Sequence, residues 1–446
     1  MTSRDAIGDH GTQNALVFRG VRDVRLERVP IPTLRDDADA IVAIDLCGLC
    51  GSDMHPYHGR EQGLDAGTTC GHEFVGRVAA VGAAVRRWRV GDRVMSPFTT
   101  CCGGCFHCRR GLPCRCPEGK LFGWVEGGQG LQGAQAEFVR VPLADATLAA
   151  VPAGLSDEEA LLLGDVFSTG FFAADNAGIK EYAAEAARRA WAPADGEKEG
   201  SGEGPVVAVV GCGPVGLMAV IGALELGAAR VFAVDSVAER LDLARRFGAV
   251  PVDRAARDPG AALRAATDGR GADVVIEAVG APEALSLALE LVRDGGALSS
   301  CGCHSAAAVP LAALYNKNLT LKSGRCPARW EGSALPVHGR CLVHGTRAKW
   351  APVGLSGACA CPCVARSQVL LRRGRRAYMD KLLPLVQSKK YDITAIITHR
   401  LPLDQDAPRA YTMFDQKADG CIKVVLVPGR GSGGGGGGGG ERGSDP

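Results

Sequence analysis

Two things are scarce in this 446-residue chain: long apolar runs and charge of one sign. No run approaches the roughly 20 apolar residues that a membrane-spanning helix needs. The first residues carry Asp5 and Asp9 and lack the hydrophobic stretch of a secretory signal. The expected location is therefore the cytosol (cytoplasmic); a plastid or mitochondrial address stays open, with the early acidic residues against it. With 51 Lys and Arg against 49 Asp and Glu, the formal net charge of +2 makes no field that would gather nucleic acid or an acidic membrane surface. Small-molecule chemistry remains, in a chain whose 46% hydrophobic content can bury the cores of two or three domains.

Cysteine, by contrast, is plentiful at 18 residues, and half of these fall between Cys47 and Cys116. Without a secretory signal, such clustering points to metal binding or reactive thiols before disulfides. Cys102, Cys105, Cys108 and Cys116 are spaced closely along a stretch containing Gly103, Gly104, Gly111 and Pro113, which lets the chain wrap tightly. Four thiolates so arranged can close a tetrahedron around zinc and leave no position open, so the expected role is architectural. Buried or disulfide-bonded cysteines are the competing reading, and Cys101 and Cys114 are alternatives for the fourth ligand.

From Ala15 to Val94, short apolar runs such as Ala40 to Ile44 and Arg93 to Met95 are broken by Gly, Pro and Asp, which predicts a compact β-rich domain. Beyond Asp165 the pattern changes. An apolar run from Pro205 to Val210 leads through a glycine-rich turn into an apolar helix and a second run, Arg230 to Val234. With Asp273 to Ile276, Glu283 to Leu291 and Gly296 to Leu298, this predicts an α/β unit, a doubly wound open parallel sheet of Rossmann type. Gly211, Gly213, Pro214, Val215 and Gly216 fit G-x-G-x-x-G, weak alone in a chain of 61 glycines but here between a strand and a helix. There the backbone can approach a pyrophosphate whose charge meets the helix N-terminus. Asp235, at the end of the second strand, is placed to accept from ribose hydroxyls and to repel a 2′-phosphate, which favours NAD over NADP. Arg240 lies beside the same ribose or is a solvated helix residue.

Two further segments, Cys47 to His55 and Gly71-His72-Glu73-Phe74-Val75-Gly76, are unremarkable when each is read alone. Together with the four-cysteine lobe, Gly82 and Gly91-Asp92-Arg93-Val94, they resemble the medium-chain zinc-containing alcohol dehydrogenase family, and the likeness resumes from Tyr378 to Val427. The resemblance implies a GroES-like catalytic domain at 12–170, an NAD domain at 171–325 and a return to the catalytic domain at 377–428. It implies Cys50 and His72 as catalytic zinc ligands, with Glu73 as a supporting or transient one. The third ligand is expected just before Ser168-Thr169-Gly170, where Asp165 stands and many members carry Cys; a carboxylate is also a zinc ligand. Three ligands leave one position for substrate, and zinc lowers the pKa of what binds there. Ser52 and His55 are implied as the proton relay, Thr169 as a contact on the nicotinamide side, and Lys417 as a pyrophosphate contact. Gln129 to Phe138 resembles the branch that includes glutathione-independent formaldehyde dehydrogenases, which implies a short alcohol or aldehyde as substrate, and the family as a whole implies a homo-oligomer. Polyol or amino-alcohol dehydrogenation, and a non-catalytic NAD-binding redox sensor, are the rival readings.

Three segments fit no packed fold in this reading: an insert at 181–204, an irregular insert at 326–376 and a glycine-rich tail at 429–446 that reads as disordered. From Trp330 to Arg376, Glu331 is the lone acidic residue against Arg340, Arg347, Lys349, Arg366, Arg372, Arg373, Arg375 and Arg376. That one-sided charge, without apolar periodicity, reads as translated non-coding sequence. The alternative is a basic lobe with a third metal site at Cys359, Cys361 and Cys363. A messenger joining Arg329 to Ala377 or nearby would support the first reading, and peptides from inside the segment would exclude it.

Overall fold

The computed structural model describes residues 11–191, 204–303, 308–327 and 378–429. Nearly all of the 326–376 insert, the second half of the 181–204 insert and the tail beyond 429 lie outside these residues.

The β-rich part is built on the strand Ala40–Leu49, which pairs antiparallel with Glu73–Val81 on one side and with Lys423–Val427 on the other. The sheet extends through Arg93–Met95 to Ala149–Ala150 at one edge and ends at Ile397–Pro402 at the other, with Phe138–Val141 also paired to Ala40–Leu49. The C-terminal segment thus supplies two strands to a sheet begun near residue 40. A smaller sheet of Asp23–Pro30, Thr12–Gly20 and Thr68–Thr69 stands beside it. Leu16, Val42, Phe74, Val78, Phe122, Tyr411 and Val424 pack together in the core of this unit.

The second unit is a six-stranded sheet paired throughout in parallel. In spatial order its strands are Val250–Asp253, Arg230–Asp235, Val206–Val210, Ala272–Glu277, Val292–Ser300 and Thr320–Ser323. Numbered along the chain this is 3-2-1-4-5-6, so strand order reverses at Val206–Val210, where an open α/β sheet places its ligand crevice. The unbroken apolar run of that strand reflects burial on both faces. Val207 and Val209 face one core, Ala208 and Val210 the other.

The first of those cores is continuous between the two units. It joins Leu46, Val75 and Met95 to Leu161, Val166 and Phe167, and on to Val209, Leu217 and Met218. The helix Val166–Asn176, which packs along Pro214–Glu225, is the shared wall, and residue 170 falls inside it. One expectation is corrected here. The alanine-rich first half of the 181–204 insert is a helix, Ile179–Trp191, and it is packed. Alanine favours helix, and Ile179, Tyr182 and Ala183 share one face: Ile179 is buried, the Tyr182 hydroxyl donates to the Gly295 carbonyl at 3.4 Å, and Ala183 abuts Gly227. Among the described residues no helix is long and apolar enough to cross a membrane.

Candidate active site

Strand pairing assembles the site. Cys50 follows the strand Ala40–Leu49, and Glu73 begins the neighbouring strand opposite Gly48, so His72 and Glu73 lie beside Cys50. Asp165 sits between the helices Asp157–Gly164 and Val166–Asn176 with non-helical backbone angles (φ −139°, ψ −71°). One ligand atom from each of Cys50, His72, Glu73 and Asp165 falls within 4.8 Å of the others. All four residues of the expected catalytic set are thereby brought together.

Their surroundings hold them in place. Asp53 accepts the Cys50 backbone N–H at 2.9 Å and faces His72 Nδ1 at 3.3 Å. Nε2 faces into the cluster, with Asp165 Oδ2 at 3.4 Å, and a cation that took up the Nε2 lone pair would leave Nδ1–H shared with Asp53 to hold the ring. Thr169 Oγ1 donates to the other Asp165 oxygen at 3.1 Å. Burial alone would push the His72 ring down, but the Asp53 and Asp165 carboxylates outweigh it and hold the ring well above its usual value. Burial pushes Asp165 up, and hydrogen bonding and charge from His72 bring it below the ordinary range. Two carboxylates and a thiol packed this closely suit a divalent cation.

Glu73 answers to a second cation. Its carboxylate reaches across Gly48, where a Cβ would lie 2.1 Å from Oε2, and receives Lys423 Nζ at 2.5 and 2.6 Å. Lys423 also donates to the Leu49 carbonyl at 2.9 Å, and both side chains of the pair are 0% exposed. Sequence reasoning missed Lys423 and Asp53. The signal for the first was one charge in the run Cys421 to Val427, and for the second a carboxylate three residues after Cys50.

Of the expected relay, Ser52 Oγ lies 3.3 Å from His72 Nε2, and His55 is buried in the following turn, Met54–Tyr57. The second cluster contains Cys102, Cys105, Cys108 and Cys116. Backbone N–H groups point at its sulfurs: Cys105 to Cys102 at 3.3 Å, Cys108 to Cys105 at 3.5 Å and Cys102 to Cys116 at 3.3 Å. Such donors favour thiolate, and the Cys108 N–H draws the Cys105 thiol down to about 7. Of the two alternatives for the fourth position, the Cys114 thiol turns to the Arg325 carbonyl, while Cys101 packs beside Cys108 and Cys116 and donates its thiol to the Ala146 carbonyl at 3.4 Å.

At the crevice of the parallel sheet, Gly211 to Gly216 forms the turn, with Gly213 capping the helix Pro214–Glu225 and Val215 in its first turn. A Cβ on Gly216 would lie 1.8 Å from the Gly211 carbonyl oxygen, so the turn requires glycine there. Asp235 ends the adjacent strand and accepts N–H groups from Cys212, Ser236 and Val237 at 2.7, 2.7 and 3.0 Å. Arg240 Nη1 lies 3.8 Å from Asp235, and its Nε is buried without a partner among the described residues, so it is not a solvated side chain. Lys417 closes the helix Arg409–Gln416, and Gly420 nearby meets Glu239 of the helix after Asp235. A cavity of about 590 Å³ opens at the other end of the sheet, but its four cations are bonded within the protein: Arg293 to Asp273, Lys317 to the Leu289 and Val292 carbonyls, Arg264 to Asp258 and Arg270 to the Thr267 carbonyl.

Residues 36–153 match the alcohol dehydrogenase GroES-like domain, and residues 214–335 match the zinc-binding dehydrogenase family. A medium chain reductase/dehydrogenase of Acremonium sp is 45% identical over 66% of this chain and 94% of its own length. An uncharacterized zinc-type alcohol dehydrogenase-like protein of Bacillus subtilis is 33% identical over 93% of this chain and its whole length. Among solved structures, an alcohol dehydrogenase from Thermus sp. ATN1 superposes with a TM-score of 0.71 at 34% identity, over 93% of this chain and 99% of that one.

Proposed function

Since the chain belongs to the zinc-type medium-chain alcohol dehydrogenase family, we propose that Cys50, His72 and Asp165 hold a catalytic zinc at which a short alcohol or aldehyde is oxidised or reduced. The observation that carries this reading is the cluster of a half-buried thiol, a buried imidazole and two buried carboxylates, with ligand atoms within 4.8 Å. When bound, zinc supplies a Lewis acid that acidifies the substrate hydroxyl, and NAD supplies the hydride acceptor.

The rest falls to the chain's own side chains. Asp53 keeps Nε2 of His72 turned into the cluster, and Thr169 keeps one Asp165 oxygen occupied so that the other faces inward. Ser52 takes the proton that leaves the hydroxyl and His55 passes it on; a hydroxyl can accept and donate at once, and an imidazole titrates near neutral pH. Lys423 balances Glu73, which stays a supporting carboxylate. Gly211, Gly213, Pro214, Val215 and Gly216 receive the pyrophosphate, while Asp235 and Arg240 face the adenosine ribose, with Asp235 setting a preference for NAD. Cys102, Cys105, Cys108 and Cys116 hold a second, architectural zinc.

The catalytic part comprises 12–170 and 377–428, with the NAD part between them at 171–325. The stretch Gln129 to Phe138 supports the formaldehyde dehydrogenase-like branch, and hence short substrates. We place the protein in the cytosol as a homo-oligomer. The test is NAD reduction by the purified protein against short alcohols, aldehydes and polyols, with Cys50→Ala as control. Activity with short alcohols that disappears in Cys50→Ala supports the reading; turnover of polyols alone redirects the substrate class. NAD binding without turnover of any of them would favour the sensor.

A further inference from the structure

The strand Ala272–Glu277 flanks the crevice on the side opposite Asp235, and it ends in a carboxylate that is 0% exposed. Glu277 Oε1 accepts the backbone N–H groups of Val279 and Gly280, both at 2.7 Å, and Oε2 accepts the Ser300 hydroxyl at 2.8 Å. The Glu277 main-chain carbonyl accepts the Cys301 N–H at 3.0 Å. Taking a carboxylate wholly out of water is costly unless several donors meet it. Here the donors come from two loops, 278–280 and the one that begins at Ser300 on the neighbouring strand.

Those loops form one rim. A Cβ on Gly280 would lie 2.5–2.8 Å from the main chain of Cys303, so the two loops are in direct backbone contact. At one end of the rim Val279 lies over Gly211 of the cofactor turn, where a Cβ would meet its Cγ2 at 2.3 Å, yet it remains 46% exposed. At the other end Gly302 closes on the 278–280 loop, where a Cβ would lie 2.1 Å from the Gly280 nitrogen. The rim therefore runs from the pyrophosphate turn over the ends of the two strands on the side away from Asp235, which is where the nicotinamide half of a dinucleotide bound across the crevice would lie.

We propose that Glu277 is a positioning residue, tying both loops into a single rim that fixes the nicotinamide end of NAD while leaving the adenosine end to Asp235 and the glycine-rich turn. The inference rests on the reading of this crevice as the NAD site. Its test compares NADH with ADP-ribose, which lacks the nicotinamide, by titration of the zinc-loaded protein.

In Glu277→Ala the Val279 and Gly280 N–H groups lose their acceptor, and NADH is expected to bind about tenfold more weakly while ADP-ribose stays within about twofold. Glu277→Gln keeps an oxygen for those N–H groups and should recover most of the NADH affinity. If Glu277→Ala fails to fold, Ser300→Ala leaves Oε1 in place and should weaken NADH alone, to a smaller extent, with Ser300→Thr restoring it. Equal weakening of both ligands would reduce Glu277 to a general structural role, and unchanged NADH binding would equally overturn the proposal. A wild-type protein that bound neither ligand would instead refute the cofactor site itself.

Discussion

Replacing Lys423 by Met tests the electrostatics of the site, because Lys423 and Glu73 form a fully buried pair at 2.5 Å within a cluster that already holds Asp165 and Cys50. Unit charges about 4 Å apart attract by about 4 kcal/mol at an effective dielectric of about 20. Removing one partner of a buried pair costs about 3–5 kcal/mol, since the other charge is left uncompensated. In the metal-free protein Lys423→Met should therefore lose about 3–5 kcal/mol of stability in urea unfolding followed by circular dichroism. A Glu73 oxygen lies within 4.8 Å of ligand atoms of Cys50, His72 and Asp165, so a dication bound by these three can stand in for the missing ammonium. With zinc loaded, the same substitution should cost less than half as much, and zinc should bind the variant more tightly than the wild type. Adding Glu73→Gln to Lys423→Met removes the stranded charge and should recover most of the metal-free loss. A metal-free penalty below about 1 kcal/mol, against the range expected for a broken buried pair, would refute the reasoning. So would equal penalties with and without zinc.

Three other outcomes are expected. Cys105→Ser should lower the zinc content measured by atomic emission from about two ions per chain to about one, and should lower stability, because the remaining thiols cannot close a four-ligand site. Gly216→Ala places a Cβ 1.8 Å from the Gly211 carbonyl oxygen; the turn must open, and NADH fluorescence titration should show at least about a tenfold loss of affinity, a cost of ~1.4 kcal/mol or more. Burial, with the Asp235 charge second, holds the Cys212 thiol well above its ordinary value. A thiol raised in the folded state contributes stability below the unfolded value of about 8.5 and loses it as pH rises above that. Urea midpoints measured between neutral and alkaline pH should therefore fall less steeply in Cys212→Ala than in the wild type.

What the sequence revealed was local. The spacing of Cys102, Cys105, Cys108 and Cys116 and the run from Val206 through Gly216 each fit within a few turns of chain, so type and interval suffice to read them. The parallel sheet followed from the apolar strands, because burial on both faces leaves no polar alternation to obscure them. The helix at Ile179–Trp191 was misjudged because, beyond Ile179, its packed face within the segment is Tyr182 and alanine, with little apolar bulk to mark it. Lys423 is 350 positions from Glu73, and only the pairing of both their strands with Ala40–Leu49 puts the two in contact. No interval in the sequence encodes that meeting.

Asp235 and Glu277 show how far a residue type at a strand end can be read. Each ends a strand beside Val206–Val210, and each accepts backbone N–H groups of the turn that follows. A carboxylate in this place is first a turn former, so ribose recognition depends on what capacity remains. An ionised carboxylate has about four acceptor positions. The Ser236 and Val237 N–H groups take two on Asp235 Oδ1, and the Cys212 N–H takes one on Oδ2. One position on Oδ2 is left, on the side where Arg240 Nη1 approaches to 3.8 Å. Glu277 has the same count, two bonds on Oε1 and one from Ser300 on Oε2, but it is 0% exposed where Asp235 is 8% exposed. The same side-chain chemistry at equivalent strand ends thus differs in access to the crevice, on which the separate roles proposed for Asp235 and Glu277 rest.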